Sequence, residues 1–176
     1  MALSTNTLIR FYLSFYPVCE AIPEEVRTKI AAWIEDHNLD ALVSTDGDGD
    51  RHLMADEKGR VVAGEILGQN NCGVIGAENV VTPVNSNSGV QGCVVFNNVL
   101  RTKIGSPFVI AGMEAAGEKV EGYEANGGFL LGIDIDLPEG KLSSLATSDS
   151  HLPLIAPLSK AKSAGVLSTL VNIEPQ

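Results

Sequence analysis

Cations are scarce in this chain. Lys and Arg number 12 against 22 Asp and Glu, so the net charge is −10 and the pI is near 4.6. Phosphate-backbone binding needs clustered positive charge, and no basic run occurs anywhere in the sequence; no nucleic-acid partner is expected. There is no run of 18 apolar residues, too little for a helix that needs about 20 to cross a bilayer; no membrane partner is expected either. Cysteine is sparse too: Cys19, Cys72 and Cys93 have no CxxC spacing. An odd count without a pairing pattern suits free thiols in a reducing cytoplasm better than a disulfide framework, and all three read as packing residues. Aromatics are only 5% of the chain, yet Phe11, Tyr12, Phe15 and Tyr16 crowd into one short window near the start.

What is present suits a globular α/β protein. With 176 residues, 44% of them apolar, the chain has room for one domain of ordinary size or two small pieces, with enough apolar surface to bury a core. The aromatic head, residues 1–22, is unlike the rest. Pro17 and Cys19 interrupt any leader-like apolar stretch, so a truncated or replaced beginning of a longer protein is the expectation there. From Pro23 the segments alternate. Residues 23–38 place Val26, Ile30, Trp33 and Ile34 on one helical face, with Glu24 and Glu25 suited to the first turn. "LDALVS" reads as a short buried strand; "HLMAD" and "RVVAG" form a hairpin about the Asp56–Gly59 turn, and a helix starts near Gly64. Strand "NVVTPV", a polar turn with a short helix, strand "NNVLRT" and helix "GSPFVIAGMEAAGE" follow, Ser106 and Pro107 standing as N-cap and first helical position. Strand "KVEGYE", the turn "ANGG" and strand "FLLG" lead to a last helix that Asp149 is expected to cap and that Pro153 and Pro157 are expected to shorten or bend. This pattern predicts layered mixed sheets with flanking helices.

The stretch "STDGDGDRHLMAD" carries the chemistry. Asp46, Asp48 and Asp50 alternate with Gly47 and Gly49, and Arg51 follows directly. Side chains at i, i+2 and i+4 of an extended segment point the same way, and the two glycines allow the backbone to curl until the oxygens converge. Like charges so close repel unless a cation sits among them. Oxygen-only ligation favours a hard ion, magnesium or calcium; the plainer reading is a solvated acidic turn. An EF-hand fits Asp46, Asp48, Asp50, Leu53 and Glu57 but meets Arg51 where glycine is needed, and strands where it needs helices.

Read as a loop ending a strand, Asp-Gly-Asp-Gly-Asp-Arg resembles the metal loop of the α-D-phosphohexomutases, the phosphomannomutases and phosphoglucomutases. The likeness extends through "STDGDGDRHLMADEKGRVVAGE", "VLRTKIGSPFVIAGM" and "GYEANGGFLLG", in order, from about Glu24 to Ile173. It implies a partial metal-loop domain over 23–74 and a sugar-recognition domain over 75–176. It implies Mg2+ held by Asp46, Asp48 and Asp50, with Arg51 steadying the phosphoryl group that passes between a phosphoserine and a hexose phosphate through a bisphosphate. The alternative for Arg51 is a surface ion pair to Asp56 or Glu57. Glu124, Asn126 and Gly127 would read sugar hydroxyls, against a plain hairpin turn; Asn126 stands where many relatives have serine. Lys103 and Ser106 align with a Lys-x-Gly-x stretch, Ser106 replacing a frequent histidine, and Lys103 otherwise reads as an exposed strand lysine. The phosphoserine stretch Thr-Ala-Ser-His-Asn-Pro does not occur; "SDSHLP" at 148–153 is only superficially similar, and Ser150 reads as part of a helix cap. The expectation is therefore a portion of such an enzyme, cytoplasmic and inactive alone, its incomplete sheet prone to self-association. The rival is a non-catalytic calcium- or magnesium-binding module.

Overall fold

The computed structural model describes residues 22–92, 95–138 and 140–170, without the side chains of Leu137 and Ala164. The aromatic head, Cys19 and Cys93 lie outside the described residues; Cys72 is buried and free.

Helix α1 (Glu24–His37) follows Pro23, carries Glu24 and Glu25 in its first turn and stops at Asn38 in the left-handed conformation, φ 48°. Strands β1 (Ala41–Thr45), β2 (His52–Asp56) and β3 (Val61–Val62) form an antiparallel meander with β2 in the middle. Alternation along β2 splits its burial: Leu53 and Ala55 pack on Ile30 and Ile34 of α1, and Met54 joins Val62 on the opposite face. β1 corrects an expectation. It is not buried; Val43 is 46% exposed, because β1 is the edge of its sheet and β2 alone pairs with it among the described residues.

Helix α2 (Gly64–Ile75) leads into a second sheet of β4 (Asn79–Pro83), β5 (Asn98–Thr102), β6 (Val120–Tyr123) and β7 (Phe129–Leu131), in the order β5-β4-β6-β7. β5 and β6 run parallel to β4, and β7 is antiparallel to β6. A 3-10 turn (Ser88–Gly92) lies between β4 and β5, and helix α3 (Ser106–Ala116) links β5 to β6. Val81, Val120 and Leu130 face Val109 and Met113 of α3; Val80, Tyr123 and Phe129 face the other way, toward Cys72 of α2. The sheet is therefore covered on both faces. α2 lies so close that a Cβ on Gly68 would stand 2.7 Å from the Tyr123 ring.

Strands β8 (Ile135–Leu137) and β9 (Gly140–Leu142), a small hairpin, were not anticipated, nor was the short helix α5 (Leu167–Leu170). Between them, α4 (Leu152–Ala164) packs Leu154 and Ala161 against Ile66 and Leu67 of α2 and Met54 of β2, so one core spans both sheets' neighbourhoods. The prolines do not shorten α4: Pro153 sits in the first turn, where no N–H is needed, and the helix continues through Pro157. Ser106 is not the cap of α3 either; Gly105 holds that position at φ 121° and Ser106 is the first helical residue.

Candidate functional site

Thr45 and His52 are the last paired residues of β1 and β2, and the aspartates occupy the loop that joins them. The loop closes on Asp46. Its N–H donates to the Arg51 carbonyl at 3.2 Å, its carbonyl accepts from Gly49 N–H at 3.2 Å, and its Oδ1 accepts from Arg51 N–H at 3.2 Å. Only Gly49 of the two loop glycines takes a positive φ, 77°. A Cβ there would touch nothing, so the glycine serves conformation, not space.

One carboxylate oxygen from each of Asp46, Asp48 and Asp50 lies within 4.8 Å of the others. Asp50 Oδ1 is buried and accepts no hydrogen bond. Burial, with the charges of Asp46 and Asp48, raises the Asp50 pKa, and only Arg51 pulls it down. The Arg51 Nε stands 3.9 Å from Asp46 Oδ2 and 3.8 Å from Asp50 Oδ1, charge contact without a hydrogen bond. An unsatisfied oxygen among converging carboxylates fits a hard divalent cation. The surface pairing considered for Arg51 does not occur: Asp56 is taken by Arg60 at 2.7 Å, and Glu57 accepts from Ser168 N–H at 3.1 Å. Glu57 thus turns to α5, and with strands on both sides of the loop no EF-hand is formed.

Because β4, β5 and β6 are parallel, the segments that follow them leave from the same edge of the sheet. After β6 comes a tight turn: Glu124 N–H donates to the Gly128 carbonyl at 2.8 Å, Gly127 N–H to the Glu124 carbonyl at 3.0 Å, and Gly128 N–H to Asn126 Oδ1 at 3.1 Å. Gly127 has φ 94°. A Cβ on Gly128 would meet Glu124 Oε2 at 2.8 Å, so glycine there leaves room for that carboxylate. Glu124 is largely buried, which raises its pKa; Arg51 lowers it and Asp50 raises it. The two loops, remote in sequence, therefore share one electrostatic neighbourhood. Lys103 and Ser106 sit at the β5–α3 junction on the same edge. Lys103 is exposed, its ammonium 5.6 Å from the Phe108 ring centroid, and it forms no hydrogen bond to either loop among the described residues.

The sequence reading missed His52 and misassigned Ser150. His52 is 3% exposed, neither ring nitrogen is hydrogen-bonded, and burial pushes its pKa down to about 4 despite the nearby Gly64 backbone and Asp149. A Cβ on Gly127 would stand 3.8 Å from its Cε1, so the imidazole lies under the turn after β6. A histidine directly after an aspartate loop was the available signal. His151 holds the N-cap position of α4; Asp149, expected to cap it, accepts at Oδ1 from His151 N–H at 2.8 Å and Leu152 N–H at 3.3 Å, and the Ser150 hydroxyl points elsewhere.

Residues 56–166 match the phosphoglucomutase/phosphomannomutase alpha/beta/alpha domain III family. A phosphomannomutase of Salmonella muenchen is 43% identical over 165 residues, 92% of this chain and 34% of that protein. A second, from Sinorhizobium fredii, is 40% identical over 155 residues, 85% of this chain and 32% of that protein. The fold is similar to the crystal structure of a phosphoglucomutase/phosphomannomutase family protein from Burkholderia thailandensis, with TM-score 0.66 and 17% identity over 86% of this chain and 32% of that one. The chain spans about a third of the length of the curated relatives it matches. With its mixed α/β layers and an aspartate loop beside the turn after β6, the chain belongs to the phosphoglucomutase/phosphomannomutase family.

Proposed function

We propose that this chain carries the metal loop and the sugar-reading turn of a magnesium-dependent phosphohexomutase, which interconverts hexose 1-phosphate and 6-phosphate, mannose or glucose, through a phosphoserine and a bisphosphate. The observation that carries the reading is the packing of the turn after β6 against the end of the aspartate loop, where a Cβ on Gly127 would stand 3.7 Å from the carbonyl oxygen of His52, the residue after Arg51: the residues proposed for sugar and for ion lie close together. In this reading 23–74 is the metal-loop portion and 75–176 the sugar-recognition portion, in a cytoplasmic protein.

Asp46, Asp48 and Asp50 would hold Mg2+, which when bound supplies positive charge to phosphoryl oxygens. Arg51 already leans on two of these carboxylates, and its guanidinium is placed to offset charge on the group in transit. The Glu124 carboxylate accepts two sugar hydroxyls, while Asn126 braces the turn through Gly128 N–H. Gly127, without a side chain, would admit the ligand to the backbone; Lys103 and Ser106 would stand at the end of β5, which β4 separates from β6.

The 176-residue polypeptide by itself has negligible mutase turnover, since its sequence holds no Thr-Ala-Ser-His-Asn-Pro carrier stretch. Calorimetry with MgCl2 should show binding to the wild type and none to Asp48→Ala. Mannose 1-phosphate binding should weaken in Glu124→Ala, and that loss separates the mutase reading from a metal module without sugar chemistry. Robust conversion of mannose 1-phosphate by the purified chain would overturn the inactivity.

A further inference from the structure

Segment 148–151 touches both loops at once. Asp149 N–H donates to the carbonyl of Phe129, the residue after the sugar turn, at 2.8 Å. The next residue reaches the other way: Ser150 Oγ donates to the Gly49 carbonyl at 2.7 Å, a bond between positions 101 residues apart. Ser150 is 1% exposed, so no water competes for that hydroxyl. The segment is anchored behind as well, because the Asp149 carboxylate accepts from His151 N–H and Leu152 N–H at the start of α4, and α4 is packed into the core through Leu154 and Ala161.

The Gly49 carbonyl belongs to the peptide group that enters Asp50. Holding it sets the plane of that peptide and hence the direction of the Asp50 side chain. Gly49 would otherwise be the loosest point of the loop, since glycine at φ 77° has other conformations open to it at little cost. Three carboxylates that repel one another also have every reason to splay when no ion is present. The Ser150 hydrogen bond opposes that splaying from outside the loop.

We propose that Ser150 is a positioning residue for the metal loop: its hydroxyl, carried on a segment that is also tied to the end of the sugar turn, holds the Gly49 carbonyl so that Asp48 and Asp50 stay aimed at a common centre. The inference rests on the functional reading above only in naming the ion. Ser150 does not touch the ion or the sugar; it acts through Gly49.

Two variants of the full chain test it, Ser150→Ala and the near-isosteric Ser150→Cys, whose thiol is a weak donor. The first measurement is amide hydrogen exchange without metal. Gly49 and Arg51 N–H are hydrogen-bonded to Asp46 within the loop, and both should exchange faster in either variant, while the core strands β4 and β6 keep their protection. The second is titration with MgCl2, where Kd should rise by about fivefold, the worth of one ordinary hydrogen bond. A purely structural role would lower the melting temperature, speed exchange everywhere and leave the Mg2+ affinity of the folded fraction unchanged; that result, or unchanged loop exchange, overturns the proposal. If the wild type itself took up no Mg2+, the functional reading would fall, and the metal-free exchange would still decide whether Ser150 holds the loop.

Discussion

Glu121 sits on β6 beside Val80 of β4 and Leu131 of β7, fully buried, with neither carboxylate oxygen hydrogen-bonded. Burial raises its pKa from the ordinary 4.5 to about 9. The unfolded chain ionises this group first. Stability associated with it is therefore complete below pH 4.5, falls as pH rises and is lost through pH 9, at about 1.4 kcal/mol per pH unit. Glu121→Gln removes the dependence. Urea melts at pH 6 and pH 8 should show wild type losing about 3 kcal/mol more than the variant across that interval; parallel curves would mean that the carboxyl is hydrated or paired. Asp50 offers a second residue-scale test with the opposite sense for function. Its raised pKa reflects burial and crowding by Asp46 and Asp48, so Asp50→Asn relieves repulsion. The metal-free variant should melt higher than wild type, and MgCl2, proposed to raise the melting temperature of the wild type, should leave that of the variant unchanged.

At the scale of elements, the start of α2 meets the turn after β6 with no side chain between them: a Cβ on Gly64 would stand 2.6 Å from the Gly127 Cα. Alanine is normally a better helix residue than glycine by up to about 1 kcal/mol. Here the contact with backbone dominates, and Gly64→Ala should destabilise the chain by about 1–3 kcal/mol in urea melts; a gain in stability would show that the turn does not dock on α2. Nothing local in the sequence announces this approach. The helices and strands themselves were legible because their periods are local: Ile30 and Ile34 recur at helical spacing and are buried together, and the apolar residues of β4 and β7 stand side by side in the sequence. Alternation misleads at Glu121, which would face solvent in a sheet covered on one side but is enclosed here because helices cover both. The aspartate loop was readable from its spacing alone. Its support was not, since Ser150 reaches Gly49 across 101 positions and Gly127 packs beside His52 at the loop's end, and no window of sequence holds both partners.

At the scale of the whole molecule, β1 and β5 each stand at an edge of their sheet. Among the described residues β1 is bonded only to β2, and β5 only to β4. Each carries an exposed apolar side chain, Val43 at 46% and Leu100 at 41%. Strand edges with free N–H and C=O groups pair with whatever strand they meet, and natural proteins commonly guard them with lysine or proline. Val43 offers no such guard, and the net charge of −10 opposes the approach of a second copy. Screening should weaken it, because the Debye length falls to about 8 Å at physiological ionic strength. Light scattering behind size exclusion should therefore show association that grows with protein concentration and with added NaCl. Val43→Lys, which places a charge on the edge without touching the core side of β2, should shift the chain toward monomer at equal concentration. A monomer of constant mass across both series, with the variant eluting identically, would show that these edges are covered in solution.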